Sequence, residues 1–148
     1  MEIRMAEDKE ILEILTRWKT VMSEATAGYL DVKKDSELTP LAPFFYSDFD
    51  YLVCLEDGKI QGWIGIGEIR DVYIHESKGF ISELYVLPEH RNHGVGRKLC
   101  IEAIRRFRKA QYRSVQLNVF NGNHAKNLYT DLGFSEVSAL MELKLETQ

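Results

Sequence analysis

The residues with the clearest chemical potential form a loop with two closely spaced glycines. Arg91 is followed by Gly94 and Gly96, between an apolar segment at residues 84–87 and a basic amphipathic segment. Glycine has no Cβ, so the backbone can turn tightly and bring successive N–H groups against an anion at the positive end of a helix dipole. The spacing therefore predicts a strand, a loop that holds a pyrophosphate, and a helix.

The segments around this loop alternate between strand and helix patterns. One helix is expected from about residue 7 to residue 23, one directly after the glycines, and one over residues 123–132, where Gly133 ends it. Residues 24–49 predict a short helix between loops and contain an aromatic cluster at residues 44–49. The predicted strands cover residues 3–5, 51–55, 60–69, 80–87, 114–119 and 138–145, with a hairpin turn at Asp57-Gly58.

Length and composition indicate one soluble domain spanning residues 1–148. No stretch approaches the roughly 18 apolar residues of a membrane span, and the N-terminus has no signal-peptide pattern, so no membrane association is expected. Cys54 and Cys100 have no spacing partner for a metal site. We expect both cysteines to be buried and reduced, which favours a cytoplasmic protein.

The charge is unevenly distributed along the chain. The net charge is −4, which argues against general nucleic-acid binding. Residues 1–60 carry 7 Lys and Arg against 13 Asp and Glu, a balance of −6, whereas residues 61–148 carry 12 against 10, a balance of +2. The acidic half either favours a cationic co-substrate such as an amine or is a plain solvated surface.

Two motifs follow each other along the chain. The first covers residues 84–96, Leu-Tyr-Val-Leu-Pro-Glu-His-Arg-Asn-His-Gly-Val-Gly, and the second covers residues 123–134, Asn-His-Ala-Lys-Asn-Leu-Tyr-Thr-Asp-Leu-Gly-Phe. In this order they resemble the motifs of the GNAT superfamily of N-acetyltransferases. With the order of the elements, the resemblance extends over nearly the whole chain. It implies an α/β fold with a single mixed, mainly antiparallel sheet, splayed central strands and flanking helices.

The resemblance also implies acetyl-CoA as acyl donor. The fourth strand would pair with the pantetheine arm, the loop amides would hold the pyrophosphate, and Asn123, with Asn121 as a rival, would bind polar groups of the CoA chain. Arg97 and Lys126 are the candidates for the 3′-phosphate of CoA. The cofactor-binding residues implied in this way are Leu84, Tyr85, Val86, Arg91, Asn92, His93, Gly94, Val95, Gly96, Arg97, Asn123 and Lys126.

Catalytic roles follow from the same resemblance. Tyr129 would act as general acid toward the thiolate leaving group, and a backbone N–H near residues 85–87 would polarise the thioester carbonyl. Glu83 would be the base toward an amine, although it could equally be an ordinary solvated strand residue, or the amine could arrive neutral. Some relatives carry a base on the fifth strand, where this chain has Asn118. Direct transfer is expected because neither cysteine lies near the proposed sulfur position.

Other interpretations of the same features stay open. A non-catalytic acetyl-CoA sensor or partner module would need the same loop without the acceptor chemistry. A nucleotide-phosphate site is disfavoured because the loop lacks a Gly-Lys-Ser/Thr ending. His90 and His93 have a metal-ligand spacing but no third ligand, so no metal is expected. The predicted edge strand at residues 138–145 could pair with a second copy, which leaves a homodimer open.

Overall fold

A computed structural model describes residues 1–30, 49–71 and 73–146 of the chain. The short helix predicted within residues 24–49 and most of the aromatic cluster at residues 44–49 lie outside these ranges. Phe49 is described, and its ring stacks on Phe80 with the ring centres 5.9 Å apart.

Five strands form one sheet in the order in which they occur along the chain. The first four are antiparallel to their neighbours, and the fifth runs parallel to the fourth. This arrangement confirms the predicted mixed, mainly antiparallel α/β fold. The strands are β1 (Glu2–Met5), β2 (Asp50–Glu56), β3 (Lys59–Arg70), β4 (Ser77–Val86) and β5 (Val115–Leu117).

The turn between β2 and β3 has the predicted two-residue form. Glu56 pairs directly with Lys59, and the two residues between them, Asp57 and Gly58, have φ values of +51° and +76°. Positive φ at both central positions is the type I′ geometry that matches the twist of a hairpin. The Asp-Gly pair therefore sets the register next to the turn, and the register shifts by one residue between Leu55 and Cys54.

Four α-helices flank the sheet in the described ranges: α1 (Asp8–Thr16), α2 (Trp18–Ala25), α3 (Val95–Lys109) and α4 (Ala125–Asp131). The single helix predicted over residues 7–23 is wrong, because the chain breaks at Arg17. There the Arg17 N–H donates to the Ile14 carbonyl, three residues back, at 3.1 Å. The Thr16 hydroxyl also donates to the Glu13 carbonyl at 2.7 Å. A tightened turn and a side-chain bond of this kind compete with helix continuation.

A capping box joins the start of α1 to β1. The Glu7 N–H donates to Glu10 Oε1 at 2.8 Å, so the Glu10 side chain serves a backbone donor that the helix leaves unpaired. Arg4 on β1 donates to both oxygens of the same carboxylate, at 2.7 and 2.8 Å. Glu10 is only 5% exposed, so this charged pair forms part of the packing between strand and helix.

Helices cover both faces of the sheet. α3 and α4 lie on one face, over a buried cluster of Leu52, Cys54, Ile64, Ile81, Val95, Leu99, Cys100, Ala103, Phe107 and Tyr129. The α1 and α2 face carries a second cluster of Ile14, Val21, Val53, Leu55, Ile60, Trp63, Tyr85 and Leu87. Both cysteines are free and buried in the first cluster.

The strand predicted at residues 138–145 is wrong for the single chain. Residues 135–146 have no regular secondary structure, and residues 137–146 are exposed. The segment has strand-like alternation but no neighbouring strand in the described chain, and a strand requires such a neighbour for its hydrogen bonds. In the ranges given above, none of the helices combines the length and the apolar character that crossing a membrane requires.

Candidate functional site

The central feature of the site is the edge that β4 presents where β5 leaves it. β5 pairs with β4 only at Gly79, Phe80 and Ile81, although β4 continues to Val86. Beyond Ile81, β4 is paired with β3 alone among the described strands. Backbone N–H and C=O groups on the other edge of residues 82–86 are therefore available to a ligand that lies beside the strand, except that the Val86 carbonyl already accepts from Arg91 Nε.

A β-bulge lies where the two strands separate. Gly65 of β3 faces Glu83, whereas the next residue, Ile66, faces Ile81, so Ser82 is an additional residue in β4. The bulge reverses the alternation of the strand: Ile81 packs in the α3 and α4 cluster, and Tyr85 packs in the opposite one. The Ser82 hydroxyl is buried and has no hydrogen-bond partner among the described residues, and a β-carbon on Gly65 would lie 2.2 Å from it.

The bulge places Glu83 on the α1 and α2 side of the sheet, next to Trp63. The indole N–H of Trp63 donates to Glu83 Oε2, and the Trp63 ring lies 5.0 Å from that of Tyr85. Burial raises the pKa of the Glu83 carboxyl, and the indole hydrogen bond partly opposes that rise because it favours the ionised form. The carboxyl therefore holds its proton to a higher pH than an exposed glutamate does.

The glycine loop leads directly into the N-terminus of α3. Asn92 and Gly94 adopt positive φ values of +64° and +81°, the second in a position where glycine is unstrained. The first hydrogen bond of the helix runs from the Lys98 N–H to the Gly94 carbonyl at 3.0 Å. The amides of residues 95–97 thus have no partner within the helix and lie at its positive end, as an anion site requires.

Arg91 fastens this loop to the rest of the fold. Its Nε donates to the Val86 carbonyl at 2.8 Å, and its Nη2 donates to Glu24 on α2 at 2.7 Å. The guanidinium carbon also lies 5.2 Å from the centre of the Tyr85 ring. Arg91 therefore links the end of β4, the loop and α2, and its position fits a role in loop geometry.

The two sequence motifs meet at Gly96. A β-carbon on this residue would lie 3.5 Å from Leu128 Cδ2, 3.7 Å from Val86 Cγ2 and 3.8 Å from Leu84 Cδ2. Leu128 belongs to α4, and the other two residues belong to the free part of β4. A glycine here leaves the start of α3 close to both elements, so the glycine loop, the free strand edge and the Tyr129 helix lie next to one another.

Tyr129 is held by the way in which α4 ends. The Gly133 N–H donates to the Thr130 carbonyl at 3.0 Å, and the Phe134 N–H donates to the Tyr129 carbonyl at 2.9 Å. With Gly133 at φ +103°, these bonds form a Schellman motif, and its usual hydrophobic contact is the edge-on packing of Phe134 against Tyr129 at 5.8 Å. The Leu-Tyr and Gly-Phe parts of the motif thus act as one structural unit.

The phenol of Tyr129 is protonated over a wide pH range. The side chain is 8% exposed, and burial raises its pKa well above the usual value. Within the described ranges its hydroxyl has no hydrogen-bond partner. An uncommitted, protonated phenol in an apolar surrounding can donate a proton to an anion that forms beside it.

Three predicted CoA contacts already have partners in the fold. Asn123 Nδ2 donates to the Ala25 carbonyl at 3.0 Å, and its Oδ1 accepts from the Ala125 N–H at 2.9 Å, so the side chain caps α4 and joins it to α2. Lys126 pairs with Glu136. Arg97 lies 3.6 Å from Asp131. Both cations are partly exposed and would exchange these carboxylates for a phosphate at little cost.

A groove of about 570 Å³ lies beside the loop, next to the β2–β3 hairpin. Its lining includes Glu56, Asp57 and Glu89 as well as His90 and His93. The lining also contains Lys59, but the three carboxylates outnumber this one ammonium, so the groove disfavours an anion. No group of His, Cys, Asp and Glu side chains suited to a metal ion occurs in the part of the chain that is described.

Comparison with protein families identifies the chain. The model of the acetyltransferase (GNAT) family matches residues 10–134. The chain belongs to the GNAT family. This assignment confirms the resemblance seen in the two motifs, and it makes the protein a member of a family of acetyltransferases. No curated protein sequence matches the chain significantly.

Solved structures of low sequence identity share the GNAT fold. A GCN5-related N-acetyltransferase from Ralstonia eutropha JMP134 is 19% identical, with a TM-score of 0.77 over 98% of this chain and 99% of that one. A mutant BH1408 protein from Bacillus halodurans is 22% identical, with a TM-score of 0.75 over 99% and 100%. The aminoglycoside N-acetyltransferase AAC(6')-Iy, solved with CoA, is 17% identical, with a TM-score of 0.65 over 99% and 100%.

Sequence reasoning missed three residues that shape this site: Trp63, Ser82 and Glu24. Trp63 hydrogen-bonds Glu83, Ser82 forms the bulge, and Glu24 pairs with Arg91. Trp63 and Glu24 lie far from their partners along the sequence, so only the strand register and helix packing bring each pair together. Gly65 is the one local signal, because a glycine inside a strand often marks a bulge.

Proposed function

We propose that this GNAT protein transfers an acetyl group from acetyl-CoA to a primary amine of a small molecule or peptide. The observation that carries the proposal is the junction at Gly96, where an unpaired strand edge, a set of free helix-terminal amides and the Tyr129 helix meet. A donor with a pyrophosphate at one end and an extended amide-bearing arm fits that combination. The phosphates would lie on the amides of residues 91–97, and the pantetheine arm would pair with Leu84, Tyr85 and Val86.

The proposed chemistry is direct transfer in a complex of both substrates. Glu83 takes one proton from the ammonium form of the acceptor, directly or through water. The neutral nitrogen attacks the thioester carbon, a backbone N–H at the end of β4 stabilises the oxyanion, and the C–S bond breaks. Tyr129 gives its proton to the thiolate and regains one from the acylated nitrogen. The products are an amide and CoA thiol, and the proton on Glu83 returns to solvent.

The cysteines support direct transfer over an acyl-enzyme route. Cys100 lies in the core cluster with Tyr129, but burial raises the pKa of its thiol to about 12. Burial also raises the pKa of Cys54. A thiol with a raised pKa is a poor nucleophile at neutral pH. Two free buried thiols also agree with the cytoplasmic location expected from the sequence.

A cationic acceptor remains our preference on charge alone. The N-terminal 60 residues carry a net charge of −6, and α1 and α2 from this region cover the face to which Glu83 belongs. Five carboxylates of this region already have a cationic partner: Glu2 and Glu10 pair with Arg4, Glu7 with Lys9, Glu13 with Arg17 and Glu24 with Arg91. The preference therefore depends on the carboxylates that these ion pairs leave free.

Thiol release from acetyl-CoA tests the proposal. The purified protein is incubated with acetyl-CoA and separate pools of polyamines, aminoglycosides, amino acids and short peptides, and free CoA is measured. Release above the level without acceptor, in at least one pool, is the expected result. Saturable acetyl-CoA binding without release in any pool would favour the non-catalytic sensor. Absence of acetyl-CoA binding would overturn the proposal.

A further inference from the structure

The C-terminal end of α2 contacts both loops that border the opening between β4 and β5. Glu24 Oε2 accepts from Arg91 Nη2 at 2.7 Å, and Arg91 lies in the glycine loop that follows β4. The carbonyl of the next residue, Ala25, accepts from Asn123 Nδ2 at 3.0 Å, and Asn123 lies between β5 and α4. In the described ranges β4 pairs with β5 only at residues 79–81, so the two loops follow strands that have separated. Two consecutive residues of one helix therefore connect the two sides of the opening.

The residues after α2 add packing contacts on the β5 side. A β-carbon on Gly122 would lie 3.4 Å from the Ala27 Cβ, and the centre of the Tyr29 ring lies 5.8 Å from that of Phe120. Phe120 and Gly122 belong to the connection between β5 and α4, the segment that also contains Asn123. The end of α2 thus packs against this segment in addition to accepting its hydrogen bond.

The backbone at the end of α2 forms a defined and strained turn. The Ala27 N–H donates to the Glu24 carbonyl at 3.0 Å, and the Gly28 N–H donates to the Ser23 carbonyl at 3.1 Å, which together make a Schellman motif. Ala27 has a φ of +52°, a value that is costly for a residue with a β-carbon. Such strain persists only where the surrounding structure determines the conformation. The Glu24 side chain and the Ala25 carbonyl are therefore presented by one rigid turn.

We propose that the end of α2, residues 24–29, is a clasp that sets the width of the opening between β4 and β5. Glu24 and Asn123 are its two positioning residues. The first holds the glycine loop through Arg91, and the second holds the start of α4, the helix that carries Tyr129. Asn123 has this role in place of the contact with the CoA chain that the sequence suggests, because both ends of its amide are engaged within the protein.

The link between the clasp and the reaction rests on the proposed function. One donor molecule would lie with its pyrophosphate on the glycine loop and its thioester beside Tyr129. The separation of the loop and α4 must therefore match the length of donor between them, and a small misplacement of reacting groups lowers a rate by up to about 10²-fold. Both arms of the clasp are formed within the protein, so the separation is fixed before the donor binds.

A purely stabilising role fits the Glu24 arm poorly. The side chains of Arg91 and Glu24 are 40% and 43% exposed, and an ion pair that is open to water in this way contributes little to the stability of a fold. Glu13 and Arg17 form another exposed pair, 3.8 Å apart, between successive turns at the end of α1. Comparison of Glu24→Ala with Glu13→Ala therefore separates loss of the clasp from loss of an exposed ion pair.

The first test is amide hydrogen exchange on the protein without any ligand. Glu24→Ala removes the arm to Arg91. We expect exchange at the amides of Lys126 and Asn127, on the opposite side of the opening, to become about 2- to 30-fold faster, the range for coupling through a packed network. Glu13→Ala should leave these two amides unchanged. Acceleration confined to the glycine loop in Glu24→Ala would overturn the proposal, as would unchanged exchange on both sides.

The reciprocal variant is Asn123→Asp. It keeps an oxygen that can accept from the Ala125 N–H, so the start of α4 retains this hydrogen bond, but it has no N–H to donate to Ala25. We expect exchange at the Lys98 amide, which closes the first turn of α3, to accelerate by a similar factor. Asn127→Ala at an exposed position of α4 is the control and should leave Lys98 unchanged. Unaltered exchange at Lys98 in Asn123→Asp would overturn the proposal.

The second test is thiol release and addresses the role of the clasp in the reaction. Glu24→Ala and Asn123→Asp should each lower kcat by up to about 10²-fold, while the midpoint of urea unfolding stays close to that of Glu13→Ala. Each change breaks the same bridge, so the double variant should be no less active than the weaker single variant, whereas independent effects would multiply. Multiplied losses, or an unchanged kcat in both single variants, would exclude the positioning role. Hydrogen exchange needs no acetyl-CoA, so if no transfer is detected the proposed function fails and exchange alone decides the clasp.

Discussion

Burial raises the pKa of both titratable residues proposed for catalysis, Tyr129 and Glu83, but the consequence differs between them. It raises the pKa of the Tyr129 phenol, so the proton needed by a thiolate is retained under any physiological condition. It also raises the pKa of Glu83, which makes the carboxylate a stronger base once it is ionised. The single hydrogen bond from Trp63 limits the second shift.

Replacing Tyr129 by Phe tests the acid without changing the packing of the ring against Phe134. We expect kcat to fall by about 10²- to 10⁴-fold, the usual contribution of a general acid, while the Kd for acetyl-CoA stays nearly constant. Steady-state thiol release and calorimetry measure the two quantities. Tyr112→Phe is the control, because that phenol donates to Glu68 at 2.7 Å on the outer part of the sheet. An unchanged kcat in Tyr129→Phe would exclude the acid role.

The role of Glu83 is tested by the dependence of kcat/KM on pH. A base must be ionised, so kcat/KM should fall as the pH drops through a pKa that burial holds above the ordinary 4.5 of glutamate. Glu83→Gln should remove this acid limb. Trp63→Phe deletes the donor that favours the ionised form and should move the limb to higher pH. If the profile of Glu83→Gln matched that of the unaltered protein, the acceptor would arrive neutral and no base would be needed.

At the scale of single elements, the end of α4 determines where Tyr129 lies. Gly133 at φ +103° is a conformation that side chains with a Cβ rarely adopt. Gly133→Ala should lower the free energy of unfolding by about 1–2 kcal/mol through backbone strain alone, because no neighbouring atom lies near the added carbon. Urea denaturation measures this loss, with Ser135→Ala as a surface control. Equal stability of the two variants would contradict the Schellman assignment.

The elements that sequence reasoning predicted correctly are those with local chemical signals. Asp57-Gly58 specifies a turn through its own φ angles, and Gly133 specifies a helix end in the same way. The break at Arg17 has no such signal. It arises because the Arg17 N–H donates to the carbonyl three residues back, that of Ile14, and the sequence does not show this choice. Alternation at residues 138–145 predicts a strand that the described chain does not form, because strand pairing requires a neighbour that the sequence does not identify.

At the scale of the whole molecule, the Arg4–Glu10 pair joins the first strand to the first helix and ties stability to pH. The hydrogen bonds from Arg4 lower the pKa of Glu10 below 4.5 in the folded protein. Because the pKa of Glu10 is lower in the folded protein than in the unfolded chain, its carboxylate stabilises the fold at every pH above the unfolded pKa. This contribution to the free energy of unfolding is lost as the pH falls through the folded pKa. Glu10→Gln keeps an oxygen that can accept from the Glu7 N–H but removes the charge paired with Arg4, and it should cost about 1 kcal/mol at neutral pH, the upper value for a partly exposed ion pair.

The same variant should become less destabilised relative to the unaltered protein as the pH is lowered below 4.5. Urea denaturation at several pH values measures the difference. Glu13→Gln is the matched control, because Glu13 has a long ion pair of 3.8 Å with Arg17 at the surface. A constant difference between Glu10→Gln and the unaltered protein across this range would show that the carboxylate charge does not contribute.

As in the fold, the parts of the candidate site that are local in sequence could be predicted, and the contacts between distant residues could not. The loop of residues 91–97 is one continuous stretch of sequence, and so is the helix that carries Tyr129. The residue pattern within each stretch is therefore enough to predict its structure and to suggest its role. The partners of Glu83 and Arg91 are 20 and 67 residues away along the chain. Their identity depends on strand register and on helix packing across the sheet, which no local pattern contains.

The additional residue in β4 gives the two halves of that strand opposite phases. The odd-numbered residue Ile81 faces the α3 and α4 side of the sheet, whereas the odd-numbered residues Glu83 and Tyr85 face the α1 and α2 side. Regular pairing of the whole strand without the bulge would bring it back into one phase and move either the proposed base or the core residue Ile81 to the wrong side of the sheet. Deleting Ser82, in contrast, would make Ile81 and Glu83 neighbours in a regular strand and keep both on their present sides. A redesigned β4 of the same length and hydrophobicity, but with one regular alternation and no bulge, would therefore misplace either the core residue Ile81 or the proposed base Glu83.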